Sequence, residues 1–197
     1  MGVCAAMRFR KIAIMAMLLS LWGGSMIFAD AVSQKVRVVI NGIEQDEGGV
    51  LLDGKTYLPL RQVAEALGAI VRWEDNNKRA VIYKPNVHMF LYNEKNSTFG
   101  GVNKGYQGKI KVFSQIDNVK TDLSAVKVTI EDPFGKERFI QSENVTNNND
   151  SFWFVTDEFD YKFEATGKYK IRFYMKLSGS DDWVSVSEKL VSSTAKS

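Results

Sequence analysis

The chain has 197 residues, enough for one large domain or two small ones. Its 45% hydrophobic and 25% charged content is that of a folded globular protein, not of a disordered or fibrous chain. The net charge is +3, and Arg8, Arg10, Lys11 and Asp30 account for +2 of it, so residues from 32 onward carry +1 and a strongly basic nucleic-acid binder is excluded.

Residues 1–31 have the plan of a secretory signal peptide. Arg8, Arg10 and Lys11 form a positive n-region, and Ile12 to Trp22 is an apolar run too short to span a bilayer comfortably. Gly23-Gly24-Ser25 breaks that run. Ala29-Asp30-Ala31 supplies small residues for cleavage after Ala31, with Met7 as an alternative start and an uncleaved anchor as the alternative fate. Cys4 is the sole cysteine, so cleavage leaves a chain without disulfides or thiolate zinc ligands. An exported protein with no disulfide suits a Gram-positive bacterium.

Gln34 to Ile43 is the first strand region, ending in an Asn41-Gly42 hairpin signal. Gly49 to Tyr57 contains two short extended pieces around Asp53-Gly54. Leu60, Val63, Ala64 and Leu67 recur at i, i+3, i+4 and i+7, which predicts a short helix. Pro59 suits its start and Gly68 the left-handed position just past its end. Ile70 to Trp73 and Arg79 to Tyr83 then flank a polar turn, a second hairpin.

This stretch, from Val36 to Lys84, resembles the small stalk domain first described at the N-terminus of copper amine oxidases, which also occurs in secreted Gram-positive proteins. The resemblance rests on Val38-Val39-Ile40-Asn41-Gly42, Asp53 to Arg61, Ala64 to Ala69 and Val71-Arg72-Trp73. It implies an α+β module, a twisted antiparallel sheet holding one short helix, with Trp73 in the core. It does not imply oxidase activity, because the stalk is separate from the catalytic domain.

After Pro85 the pattern becomes all-β. Seven strands are predicted at 87–92, 109–116, 125–131, 138–142, 151–156, 168–177 and 183–191, joined by turn-rich connectors, which reads as a sandwich. Residues 93–108 read as a long loop. Phe163 to Phe173 looks like the corner of immunoglobulin-like domains, where a tyrosine, here Tyr169, bonds back to the preceding chain. The expected organisation is a signal peptide at 1–31, the stalk module at 32–85 and an immunoglobulin-like β-sandwich at 86–197.

Catalytic constellations are sparse. A copper amine oxidase needs three histidine ligands and an Asn-Tyr-Asp/Glu motif, but this chain has one histidine, His88, and no Asn-Tyr pair. His88 reads as an ordinary strand residue. The acidic pairs Glu158/Asp160 and Asp181/Asp182 fall on turns and read as solvated. Asp157, Glu158 and Asp160, or residues 147–150, offer oxygens to calcium without EF-hand spacing. No nucleophile elbow or phosphate loop is present. The aromatics are a candidate ligand surface: in Phe152-Trp153-Phe154 either Trp153 or the two Phe must face outward, and Trp183 opens the last strand.

The expected function is therefore that of a non-catalytic, secreted cell-envelope protein with a structural, adhesive or partner-presenting role. The alternative is a carbohydrate-binding module using Trp153 and Trp183. No catalytic residue, metal ligand or cofactor is assigned. The expected partner is a cell-wall polymer or another surface protein, not nucleic acid, with membrane contact only through the signal segment.

Overall fold

The computed structural model describes residues 33–145 and 149–196. The expected signal segment, and Asn147 and Asn148 of one predicted turn, lie outside them. Among the described residues no helix is long and apolar enough to cross a membrane. Packing divides the chain into two compact units, Met1–Pro59 and Leu60–Ser197.

In the first unit, β1 (Gln34–Val36), β4 (Gly49–Leu52) and β5 (Lys55–Tyr57) form a three-stranded sheet, and β2 (Val39–Ile40) pairs with β3 (Ile43–Glu44). Both hairpins turn through two residues with positive φ, Asn41-Gly42 (53° and 80°) and Asp53-Gly54 (48° and 72°). This conformation matches the strand twist, and it is why both dipeptides are legible in sequence.

The second unit opens with the helix Leu60–Ala66. Gly68, at φ 70°, ends it as expected: Ala69 N–H reaches back to the Ala64 carbonyl at 2.8 Å and Gly68 N–H to that of Glu65 at 2.9 Å. A Cβ at Gly68 would stand 2.7 Å from the Val186 carbonyl oxygen, so glycine also permits close approach to the last strand. Strands β6 (Ile70–Glu74) and β7 (Arg79–Tyr83) form the second hairpin, and Ile70 is fully buried in the same core as the sandwich strands that follow. The module boundary expected at 85/86 is one of sequence pattern, whereas packing divides the chain after Pro59.

Two expectations need correction here. The strands before Pro85 form three separate sheets, β1-β4-β5, β2-β3 and β6-β7, not one. Trp73, expected in the core, is 52% exposed. It lies three residues from buried Ile70, hence on the opposite strand face, and its indole N–H donates to Asp75 at 3.0 Å.

The remaining strands make two sheets. In the first, β10 (Gln107–Asp117) is central, with β8 (Asn86–Asn93) on one side and β13 (Phe152–Val155) and β14 (Phe159–Lys162) end to end on the other. Thr156 stitches the gap between these last two: its N–H donates to the Val112 carbonyl and its Oγ1 accepts from Val112 N–H, each at 3.0 Å. The second sheet has the order β12 (Glu137–Asn144), β11 (Leu123–Glu131), β15 (Gly167–Leu177), β16 (Trp183–Thr194), β9 (Gly101–Asn103). All neighbours are antiparallel except β9, which runs parallel to β16.

The two sheets share one apolar core. Leu91, Ile110, Val112 and Phe154 of the first meet Val128, Ile130, Ile171 and Phe173 of the second. Rings bridge the layers edge to face, Phe154 with Phe173 at 6.1 Å and Tyr161 with Tyr169 at 6.0 Å. Tyr169 makes the expected corner: its hydroxyl accepts from Ala165 N–H at 2.9 Å and donates to the Ala165 carbonyl at 3.3 Å. Burial, reinforced by Tyr169 and Asp132, pushes the Tyr161 hydroxyl up to about 12.

Ser114, like Ser193, is a buried serine whose hydroxyl finds no partner among the described residues. Ser114 lies fully buried between Val112 and Ile116. An unsatisfied buried hydroxyl costs roughly 1–3 kcal/mol. Ser114→Ala is therefore expected to hold or raise stability, by about 1 kcal/mol, read as a higher urea midpoint at unchanged slope. A clear loss of stability in that variant would mean that the hydroxyl is satisfied.

Candidate functional site

Strand alternation sets what the first sheet shows to solvent. Ile110, Val112, Ser114 and Ile116 of β10 are buried, so Lys109, Lys111, Phe113, Gln115 and Asp117 face outward. Register places Phe90 of β8 and Val155 of β13 opposite Phe113, and His88 and Trp153 opposite Gln115. Tyr92 lies opposite Lys111.

The result is a row of three rings across three strands. Phe90 and Phe113 have centroids 6.4 Å apart with planes inclined at 47°, and Phe113 and Trp153 are 5.9 Å apart at 54°. Trp153 is 73% exposed and Phe90 45%. Water thus touches a continuous apolar surface that the sandwich does not use for its own core. Polar groups border it: His88, Tyr92, Lys111, and Gln115, whose amide N–H donates to Asp117 at 3.0 Å. Such a surface can stack against a ring that is apolar on its face and hydrogen-bonding at its edge.

The outward face of the second sheet is occupied by its own contacts. The Lys127 ammonium lies 4.5 Å from the Tyr174 ring centre and 4.6 Å from that of Trp183. Arg172 bonds Glu131 closely and reaches Glu188 at 3.1 Å, while Lys170 pairs with Glu131 at 3.2 Å. Tyr174 donates to Glu137 at 2.7 Å. Burial, followed by the neighbouring Glu137 carboxylate, raises the Tyr174 hydroxyl above its usual range. Burial works against ionisation of Glu137, but hydrogen bonds from Thr129 and Tyr174 and the charges of Arg172 and Lys127 outweigh it and hold the carboxyl low.

The two tryptophans singled out in the sequence are therefore not brought together. Trp153 stands on the open face of one sheet, and half-buried Trp183 is covered by Lys127 on the other. Phe90 and Phe113 join Trp153 without having been singled out. The signal that could have found them is the period-two pattern His88-Phe90-Tyr92 and Lys111-Phe113-Gln115, read with the pairing of β8 and β10.

Among the described residues no three His, Cys, Asp or Glu side chains converge as a metal site would require. Asp160 lies on β14 opposite Lys109, Asp157 donates its N–H to Gln141 at 2.7 Å, and Asp181 pairs with Lys176 at 3.0 Å. His88 is an exposed residue of β8.

Residues 39–131 match the family model of the copper amine oxidase N-terminal domain. The match runs from β2 to the end of β11, beyond the hairpin that closes at Tyr83. It is to the N-terminal domain of those enzymes and not to their catalytic domain. No curated protein matches the chain.

Proposed function

We propose that this is a non-catalytic protein of a Gram-positive cell envelope, exported by its N-terminal segment, and that the outer face of β8, β10 and β13 binds a glycan. In this reading residues 32–85 are the stalk module and 86–197 an immunoglobulin-like sandwich. The sandwich reading is supported by the Tyr169 corner and by two mainly antiparallel sheets that share one core. The observation that carries the binding assignment is the exposed row Phe90–Phe113–Trp153 with polar groups along its border. A broad apolar face without those polar groups would favour a protein partner instead.

The test is affinity electrophoresis and pull-down of the purified chain with wall polymer and polysaccharides. Trp153→Ala is expected to weaken glycan binding about ten-fold or more, the scale of a lost aromatic stack. Trp183→Ala, whose ring is engaged by Lys127, is expected to leave binding unchanged. Equal loss in both variants would remove the assignment to this face.

A second reading, docking to another surface protein, has one observation in its favour. Phe134 is 83% exposed at the tip of the β11–β12 turn, which Asp132 holds rigid by accepting from Phe134 N–H and Lys136 N–H at 2.9 Å each. A rigid, displayed aromatic is the form of an interface anchor. Capture of a partner protein abolished by Phe134→Ala, with no glycan retardation, would favour it.

A further inference from the structure

The glycan reading leaves open whether the face takes the surface of a crystalline polysaccharide or one chain, and whether that chain is charged. The geometry points to a single, flexible chain of an acidic glycan, one whose sugars carry anionic groups. This inference rests on the reading above.

The first argument is the ring planes. Successive planes in the row are inclined at 47° and 54°, so no plane lies flat on all three. A crystalline face is rigid and flat, and it would rest on one ring while leaving the others solvated. A chain with rotatable glycosidic bonds can turn each sugar to the ring beneath it. Sheet twist, about 20–25° between neighbouring strands, contributes part of this inclination, and the side-chain torsions of the three rings supply the rest.

The second argument is the polar border. Gln115 sits beside Trp153 by register, His88 lies across Gln115 on the far side of β10, and Tyr92 and Lys111 are the next pair on the same face along from Phe90 and Phe113. They stand where the hydroxyl edges of an isolated chain are within reach. In a crystal most of those hydroxyls are engaged with neighbouring chains.

The third argument is charge. Lys109 and Lys111 precede Phe113 on the same outward face of β10. Among the described residues neither ammonium lies within ion-pair distance of a carboxylate. Asp160 faces Lys109 across the β10–β14 ladder, and Asp117 at the far end of the face is engaged by Gln115. Lys111, between the rings and Lys109, is thus the cation best placed to meet an anion on a sugar stacked over Phe90 and Phe113. An exposed pair of this kind is screened by salt.

The experiment uses the purified chain and matched polymers. Carboxymethylcellulose is compared with hydroxyethylcellulose, and polygalacturonate with its full methyl ester, by affinity electrophoresis. Crystalline cellulose and crystalline chitin are used in pelleting. The expected result is retardation by an acidic chain over its neutral counterpart and no pelleting with the crystals. Trp153→Ala is expected to abolish the retardation. Lys111→Gln is expected to lower it about two- to five-fold and bring it towards the neutral polymer, with added salt doing the same to the wild type.

Pelleting with a crystal but no retardation would overturn this inference and leave the glycan reading standing. Equal retardation by neutral and acidic partners, untouched by Lys111→Gln, would overturn the charge assignment. No interaction with any polymer would remove both. Circular dichroism of each variant separates lost binding from lost folding.

Discussion

Tyr169→Ala lowers the stability of the sandwich by about 3–5 kcal/mol, the expected cost of deleting a large buried aromatic that its surroundings cannot refill. Tyr169 is among the largest fully buried side chains, and its ring meets both Phe163 at 4.8 Å and Tyr161 at 6.0 Å, edge to face. Removing it opens the layer between the sheets and releases the turn that Ala165 anchors. Tyr169→Phe keeps the ring and deletes only the hydroxyl, which serves both Ala165 N–H and the Ala165 carbonyl. That variant should cost only about 1–2 kcal/mol. Urea unfolding of both, compared at equal slope, separates ring from hydroxyl. Equal losses in the two would assign the stabilisation to the corner hydrogen bonds and not to packing.

Arg172→Ala should cost about 2–3 kcal/mol near neutral pH, somewhat below the 3–5 typical when one member of a fully buried pair is removed. The guanidinium joins Glu131 and Glu188, lies 4.0 Å from Glu137, and is 21% exposed, while Glu131 is 15% exposed. Burial alone would lower the basicity of Arg172, but its bond to Glu131 outweighs this and holds it protonated. Without it, three carboxylates share one patch with Lys170 and Lys127 as the remaining nearby cations.

The deficit should depend on pH with a definite sign. Glu137 titrates below its ordinary value of 4.5 in the folded state, so its contribution is present above 4.5 and lost as pH falls through the lower folded value. Arg172 is one of the groups that depress it. The gap between variant and wild type should therefore be widest near neutrality and should narrow well below 4.5. Denaturant midpoints at the two extremes check this, and a gap that stays constant or widens in acid would show that the loss comes from the packing of the Arg172 stem.

Most of the framework was legible because it follows local rules. Seven predicted strands have observed counterparts with shifted ends, and Asn41-Gly42, Asp53-Gly54 and Gly68 stand where backbone sterics require them. What escaped depends on distant partners. Strand β9 is three residues long within a glycine-containing stretch read as a loop, and only its pairing with Ser192 to Thr194 makes it a strand. Strand β14 does carry a local signal, the alternation Phe159, Tyr161 that continues to Phe163 just past its end. Trp73 misled because its type suggested burial while its parity with Ile70 placed it outside.

The candidate site was half legible for the same reason. Alternation in Phe152-Trp153-Phe154 leaves open whether Trp153 or the two phenylalanines face outward, and the burial of Phe154 decides for Trp153. The row it completes needs the register of three strands, which no single segment carries.

The parallel pairing of β9 with β16 has a consequence for the order of events as the chain is made. Strand β16 is the last in sequence yet lies inside its sheet, between β15 and β9. Gly101 to Asn103 cannot find their ladder until Ser192 to Thr194 exist, and β15 lacks one neighbour until then. Pairings across so much sequence close slowly, because the loop must be formed before its contacts can hold it. The second sheet is therefore completed only after residue 194 has been synthesised, so β9 waits unpaired through nearly all the elongation that follows it.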